Sequence, residues 1–98
     1  MAALDFTWDP AKARANLKKH GVSFDEARSV FLDERARLLD DPDHSEAEQR
    51  FVLLGLSTAL RFLVVVHAYR EPQGLIRISS ARKASPRERA GYVRGGPR

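Results

Sequence analysis

Leu4, Phe6 and Trp8 alternate with Asp5 and Thr7, the period of two that predicts a half-buried first strand over Leu4 to Trp8. The period then changes. Asp9 offers an N-cap and Pro10 suits a first helical position, good helix formers follow, and Gly21 supplies a stop, so the first helix is expected over Pro10 to His20. Ser23 and Glu26 have the spacing of a capping box, Val22 and Ala27 that of a hydrophobic staple, and Phe24, Ala27, Val30 and Phe31 share one face. A second helix is predicted over Phe24 to Leu32.

The middle of the chain reads differently. Ala36 to Leu39 is a short strand candidate, and Asp40-Asp41-Pro42-Asp43-His44-Ser45 is a polar turn broken by proline. Arg50 to Leu56, Arg61 to Tyr69 and Leu75 to Ser80 are apolar or β-branched runs with connections short enough for antiparallel hairpins. Ser85 and Glu88 form a second capping-box pattern around Pro86, so a short terminal helix carries Arg87, Arg89, Tyr92 and Arg94. The expected class is α+β: an N-terminal strand and two helices packed on an antiparallel meander, then a short C-terminal helix. Alternation places Ile76 and Ile78 on one face of the meander. If the helices cover that face together with Val64 and Val66, then His67, Tyr69 and Arg77 lie on the open one.

Ninety-eight residues suffice for one core and not two, so residues 1–98 are expected to form a single domain, with 95–98 a flexible basic tail. The chain has no cysteine, which excludes disulfides and thiolate chemistry and fits a reducing cytoplasm. Its longest apolar run, Phe62 to Val66, is far short of the ~20 residues of a membrane span, and Met1 to Asp9 lacks an export signal. No membrane association is expected.

Charge is unevenly distributed around the net +4. Between Asp33 and Arg50 seven acids face three bases, whereas between Leu75 and Arg98 seven bases, six of them arginine, face Glu88 alone. Arginine binds phosphate bidentately and stacks on bases, so the C-terminal third points to nucleic acid, RNA above all.

Metal-free RNA cleavage needs a base for the 2′-hydroxyl proton, cations for the crowded phosphorane and an acid for the leaving 5′-oxygen. His67 or Glu48 fits the base, Arg50, Arg77, Arg82 and Lys83 the cations, and His67 or Tyr92 the acid, while Arg87, Arg89, Tyr69 and Tyr92 are candidates for RNA binding. Each has a plainer reading: His67 as a structural histidine, Tyr92 as a packing residue, His20 as a helix C-terminal residue favoured by the dipole. Asp41, Asp43, His44 and Glu48 read better as a solvated acidic turn than as metal ligands, and neither a metal nor another cofactor is expected. The rival function is a non-catalytic module in which the same basic segment grips DNA phosphates or an acidic partner, although no helix-turn-helix frame is visible. A purely structural role leaves the arginine cluster unexplained.

Together, FTWDPAKARANLKKHGVSFDEARSVF, DPDHSEAEQR and IRISSARKASPRERAGY resemble the BrnT family of bacterial type II toxins, from about Phe6 to Tyr92. The elements W-D-P-x-K, N-x-x-K-H-G-V-x-F, D-x-x-H-x-x-x-E-x-R and R-I-x-S-A-R-x-A occur in order. The resemblance implies a RelE-like fold, a ribonuclease that shuts down translation, neutralisation by a BrnA-like antitoxin, and promoter DNA binding only by the toxin–antitoxin complex. It places the family's polar motif positions at His20, Asp43, His44, Glu48, Arg50, Arg77, Ser80, Arg82, Lys83, Glu88 and Arg89. Ser79 stands where the family commonly has a second isoleucine.

Overall fold

Two local start signals near the N-terminus behave as the pattern predicts. Asp9 is extended (φ −81°, ψ 121°) and its Oδ1 accepts the Ala11 N–H at 2.8 Å, starting helix α1 (Pro10–His20). Gly21 ends it in the left-handed region (φ 70°), donating its N–H to the Leu17 carbonyl at 2.8 Å, a conformation glycine adopts without Cβ penalty. Ser23 Oγ accepts the Glu26 N–H at 3.0 Å and starts helix α2 (Phe24–Ser29), which one 3₁₀ turn, Val30–Leu32, continues. The Glu26 carboxylate goes to Arg61 Nε at 2.9 Å and Ser57 Oγ at 2.7 Å, pinning this helix start to the turn after the third strand.

The computed structural model describes residues 4–40, 49–70 and 74–95. Around those helices lie β1 (Asp5–Thr7), β2 (Arg37–Asp40), β3 (Gln49–Leu56), β4 (Phe62–Arg70), β5 (Leu75–Lys83) and helix α3 (Pro86–Gly95). The order is the predicted one. The sheet order is β1-β5-β4-β3-β2. β2 to β5 form the antiparallel meander, but β1 lies in the sheet beside β5 and parallel to it, Thr7 opposite Arg77, so the sheet is mixed. Among the described residues no helix is long and apolar enough to cross a membrane.

The face under α1 and α2 is the opposite phase of β4 from the one alternation suggested. Tyr69 pairs with Ile76 and His67 with Ile78, so Leu63, Val65, His67 and Tyr69 accompany the isoleucines beneath the helices. Val64, Val66 and Ala68 point the other way. Both sides of β4 are apolar, so hydrophobicity alone does not set its phase; the partner strand does, with an irregularity at Val66/His67. The main core is Val22, Phe24, Ala27 and Val30 against Leu53, Leu63, Val65, Ile76, Ile78 and Ala81.

One buried polar group ties this core together. Asn16 Nδ2 donates to the carbonyls of Val22 (2.9 Å) and Ala81 (2.8 Å), and its Oδ1 accepts the Ala81 N–H at 3.0 Å. Every bond is short and buried, so a poor helix former is retained in α1 because it fastens the helix to β5.

Candidate nucleic-acid face

Antiparallel register writes the second sheet face as rows of cross-strand neighbours. One row runs Arg50, Ala68, Arg77 and Thr7 across β3, β4, β5 and β1. The next runs Leu39, Val52, Val66 and Ser80, and the third Arg37, Leu54, Val64 and Arg82. Adjacent strands lie ~4.8 Å apart, so Arg50 and Arg77 leave the sheet about 10 Å from each other with only the methyl of Ala68 between them. Three of the four predicted cations, Arg50, Arg77 and Arg82, therefore share one face. Lys83 does not: it pairs with Leu63 and alternates to the helical side, exposed.

Helix α3 closes one end of this face. Phe62 meets Tyr92 edge-on at 5.1 Å, the Arg89 guanidinium lies 5.0 Å over the Phe62 ring, and Arg37 Nη1 donates to the Gly91 carbonyl at 3.1 Å. Tyr92 donates its hydroxyl to Asp33 Oδ2 at 2.9 Å, and the same oxygen accepts the Leu56 N–H at 2.9 Å. Burial and the bond to Asp33 push the Tyr92 phenol above its ordinary value. Arg87 is exposed on α3.

At the α3 N-terminus the predicted capping box is complete: Ser85 N–H donates to Glu88 Oε1 at 2.7 Å and Glu88 N–H to Ser85 Oγ at 3.2 Å. Glu88 also holds Arg82 through both oxygens, at 2.9 Å each. The Arg82 guanidinium is the main reason that its carboxyl is held down to about 2, and the same pair raises Arg82. This fixes the fork of Arg82, a residue otherwise free to swing, at the junction of β5 and α3.

His67 and Tyr69, expected beside Arg77 on the open face, are placed under the helices instead. His67 is buried, its Nδ1–H donates to the Val65 carbonyl at 3.2 Å, and its ring meets Phe31 edge-on at 4.9 Å. Burial is the larger influence and pushes the imidazole below its ordinary range, so it is neutral at pH 7. His67 and Tyr69 line a cavity of about 420 Å³ with Phe31, Phe51 and Leu38, away from the arginines. Glu48, Asp41, Asp43 and His44 lie outside the described residues. Among the described residues no three His, Cys, Asp or Glu side chains group as a metal site. His20 is half-buried at the end of α1, and Ser80 faces the cationic side opposite Val66.

Sequence reasoning missed Asn16, Asp33 and the Glu26–Arg61 pair. Asn16 left two traces, an amide in the middle of a lysine- and alanine-rich helix and the first position of the N-x-x-K-H-G element, neither of which names its partners. The other two contacts span 59 and 35 residues and have no local signature.

A mixed sheet with helices over one face and arginines on the other defines a small α+β protein with a cationic sheet face. A family model described as "Ribonuclease toxin, BrnT, of type II toxin-antitoxin system" matches residues 8–88, and the chain belongs to this family. The fold is also that of the Brucella abortus ribonuclease toxin BrnT, known from a 1.1 Å crystal structure: TM-score 0.63, 21% identity, with 85% of this chain and 99% of that one covered. A search of curated protein sequences gives no match. Family membership makes the chain a ribonuclease toxin of a type II toxin–antitoxin system, with RNA as substrate class and an antitoxin as partner.

Proposed function

We propose that the chain is a metal-independent endoribonuclease with a RelE-like working face, cutting RNA across the Arg50–Ala68–Arg77 row. The observation that carries this reading is that row: Arg50 and Arg77 stand on either side of Ala68 in the register, and so small a residue between them leaves room for a phosphate to approach the sheet. The RNA 2′-hydroxyl gives its proton to a base and its oxygen attacks the adjacent 3′-phosphorus, the bond to the 5′-oxygen breaks and that oxygen takes up a proton from water, and a 2′,3′-cyclic phosphate remains. Arg50 and Arg77 stabilise the phosphorane, with Arg82 held ready by Glu88 further along the face. Arg87 and Arg89 extend the track for the RNA backbone.

His67 supplies neither proton transfer in this scheme, because it is buried on the other side of the sheet. Tyr92 serves the packing of α3 through Asp33. Glu48, two residues before Arg50 in the chain, is the carboxylate best placed in sequence to act as base. A BrnA-like antitoxin silences the enzyme by covering the cationic face, and promoter DNA is bound only by the resulting complex, in the cytoplasm.

Incubation of the purified chain with end-labelled RNA in EDTA tests this. Wild type is expected to release 2′,3′-cyclic phosphate ends, and Arg77→Ala at matched folded fraction to lose roughly a hundredfold or more in rate. Tight RNA binding without cleavage, with ribosomes present, would instead make the face a non-catalytic binding surface.

A further inference from the structure

At the end of the open face remote from α3 lies a cavity of about 270 Å³ lined by Thr7, Trp8, Asp9, Arg70, Leu75 and Arg77. Register places it beside the arginine row: Thr7 pairs with Arg77, and Arg70 with Leu75, so Arg70, Leu75, Arg77 and Thr7 all stand on the cationic side. The volume is just under the ~300 Å³ at which pockets for drug-sized ligands begin, which suits a single planar ring system rather than two.

Its lining is chemically directional. Arg77 belongs both to this cavity and to the row where the phosphate is expected, so a nucleotide with its phosphate on the row has its base at the cavity mouth. Trp8 lines the cavity with its ring half-buried and held edge-on against Phe24 at 5.8 Å, and the guanidinium of Arg77 can stack on a base as an aromatic ring does. Asp9 is the sole acid of the lining. Its Oδ1 is pinned by the Ala11 N–H at 2.8 Å, which fixes the carboxylate while leaving further acceptor positions on both oxygens. A phosphate is repelled by that carboxylate and drawn to the arginines, so the base and not the phosphate faces Asp9.

A carboxylate accepts and does not donate. Guanine is the RNA base whose Watson–Crick edge presents two adjacent donors, N1–H and N2–H. Adenine and cytosine present one donor beside an acceptor, and uracil one donor between two acceptors. We propose that Thr7, Trp8, Asp9, Arg70 and Arg77 form a base-specificity subsite that takes a guanine next to the scissile phosphate. The proposal rests on the ribonuclease reading of the arginine row.

Trp8 is the only tryptophan in the chain and lines this cavity, so a base seated there is expected to change its emission. The full chain is titrated with 2′-O-methylated uridine trinucleotides carrying G, A, C or U at the central position; the methyl group blocks 2′-oxygen attack and separates binding from cleavage. The G probe is expected to quench Trp8 and to bind roughly tenfold or more tighter than the U probe, the worth of one charge-assisted hydrogen bond. Asp9→Asn retains an N-cap of equal quality, so α1 and the thermal melt are preserved while the G preference falls to about threefold or less. Asp9→Ser, another good cap, repeats the test if the asparagine variant melts early.

Equal affinity for the four probes, no quenching, or a G preference unchanged in both Asp9 variants overturns the subsite. Bulk RNA cleavage with flat base preference would sink the subsite and leave the ribonuclease reading standing. Asp9-dependent guanine binding by a chain that cuts no RNA would do the reverse.

Discussion

Glu88 grips Arg82 with both carboxylate oxygens at 2.9 Å while one of them also receives the Ser85 N–H. One acid thus joins the last residues of β5 to the first turn of α3 and sets the direction of a cation on the open face of the sheet. Both side chains are partly open to water, 46% for Arg82 and 33% for Glu88, so screening limits the stability involved to about 0.5–1 kcal/mol.

The pH dependence of that pair has a definite sign. The Glu88 carboxyl titrates near 4.5 when unfolded and near 2 when folded, so its stabilisation is complete above pH 4.5 and disappears as pH falls to about 2. Urea unfolding between pH 2 and 5 is expected to show a steeper acid loss in wild type than in Glu88→Gln. Parallel curves would mean that the pair adds nothing in solution.

His67 gives a second pH signature. Its folded-state value lies below the ordinary 6.5, so the unfolded chain takes up the proton first and stability declines as pH drops through 6.5. His67→Gln is expected to flatten that decline and to retain RNA cleavage within about threefold of wild type once folded fractions are matched, since a residue away from the reacting atoms leaves catalysis nearly untouched. A hundredfold loss of cleavage in a well-folded His67→Gln protein would return this histidine to the reaction.

Asn16→Leu is expected to be among the most destabilising single changes in α1. It strands the Val22 and Ala81 carbonyls and the Ala81 N–H inside the core, at a cost of about 3 kcal/mol or more. A guanidinium midpoint within error of wild type would contradict the role assigned to the amide.

Gly55 is closely walled: a Cβ there would stand 2.9 Å from both Ala36 Cβ and Val30 Cγ1. Gly55→Ala is expected to cost about 1–3 kcal/mol by overpacking, and adding Ala36→Gly to recover part of it. Full additivity of the two changes in thermal unfolding would rule out the contact as the cause.

The parts legible in the sequence were those whose physics is local. Asp9-Pro10, Gly21, Ser23 and the Ser85–Glu88 box each act within a few residues, and all stand where the pattern put them. The arginines of the open face were legible as types; alternation on β5 set Arg77 opposite in phase to Ile76 and Ile78, as found, while the placement of Arg50 two strands away came only from the register of β3 on β4. What misled was β4. Its unbroken run from Phe62 to Val66 is apolar on both faces, since α1 and α2 bury one and α3 shields part of the other, so His67 was assigned to the wrong side. The partners of Asp33 and Glu26 were out of reach for a related reason: they are fixed by tertiary register, which no short window contains.

The parallel seating of β1 on β5 also orders events in time. Residues 5–7 are made first yet find their partners only in residues 75–77. Because a strand pair separated by some seventy positions closes late, the edge of the sheet where Thr7 stands opposite Arg77 is completed only after the antiparallel meander it joins. A translation product ending before β5 carries Arg50 without Arg77 and leaves β1 with no strand to pair with, so the first strand of the chain depends on the last for its place in the sheet.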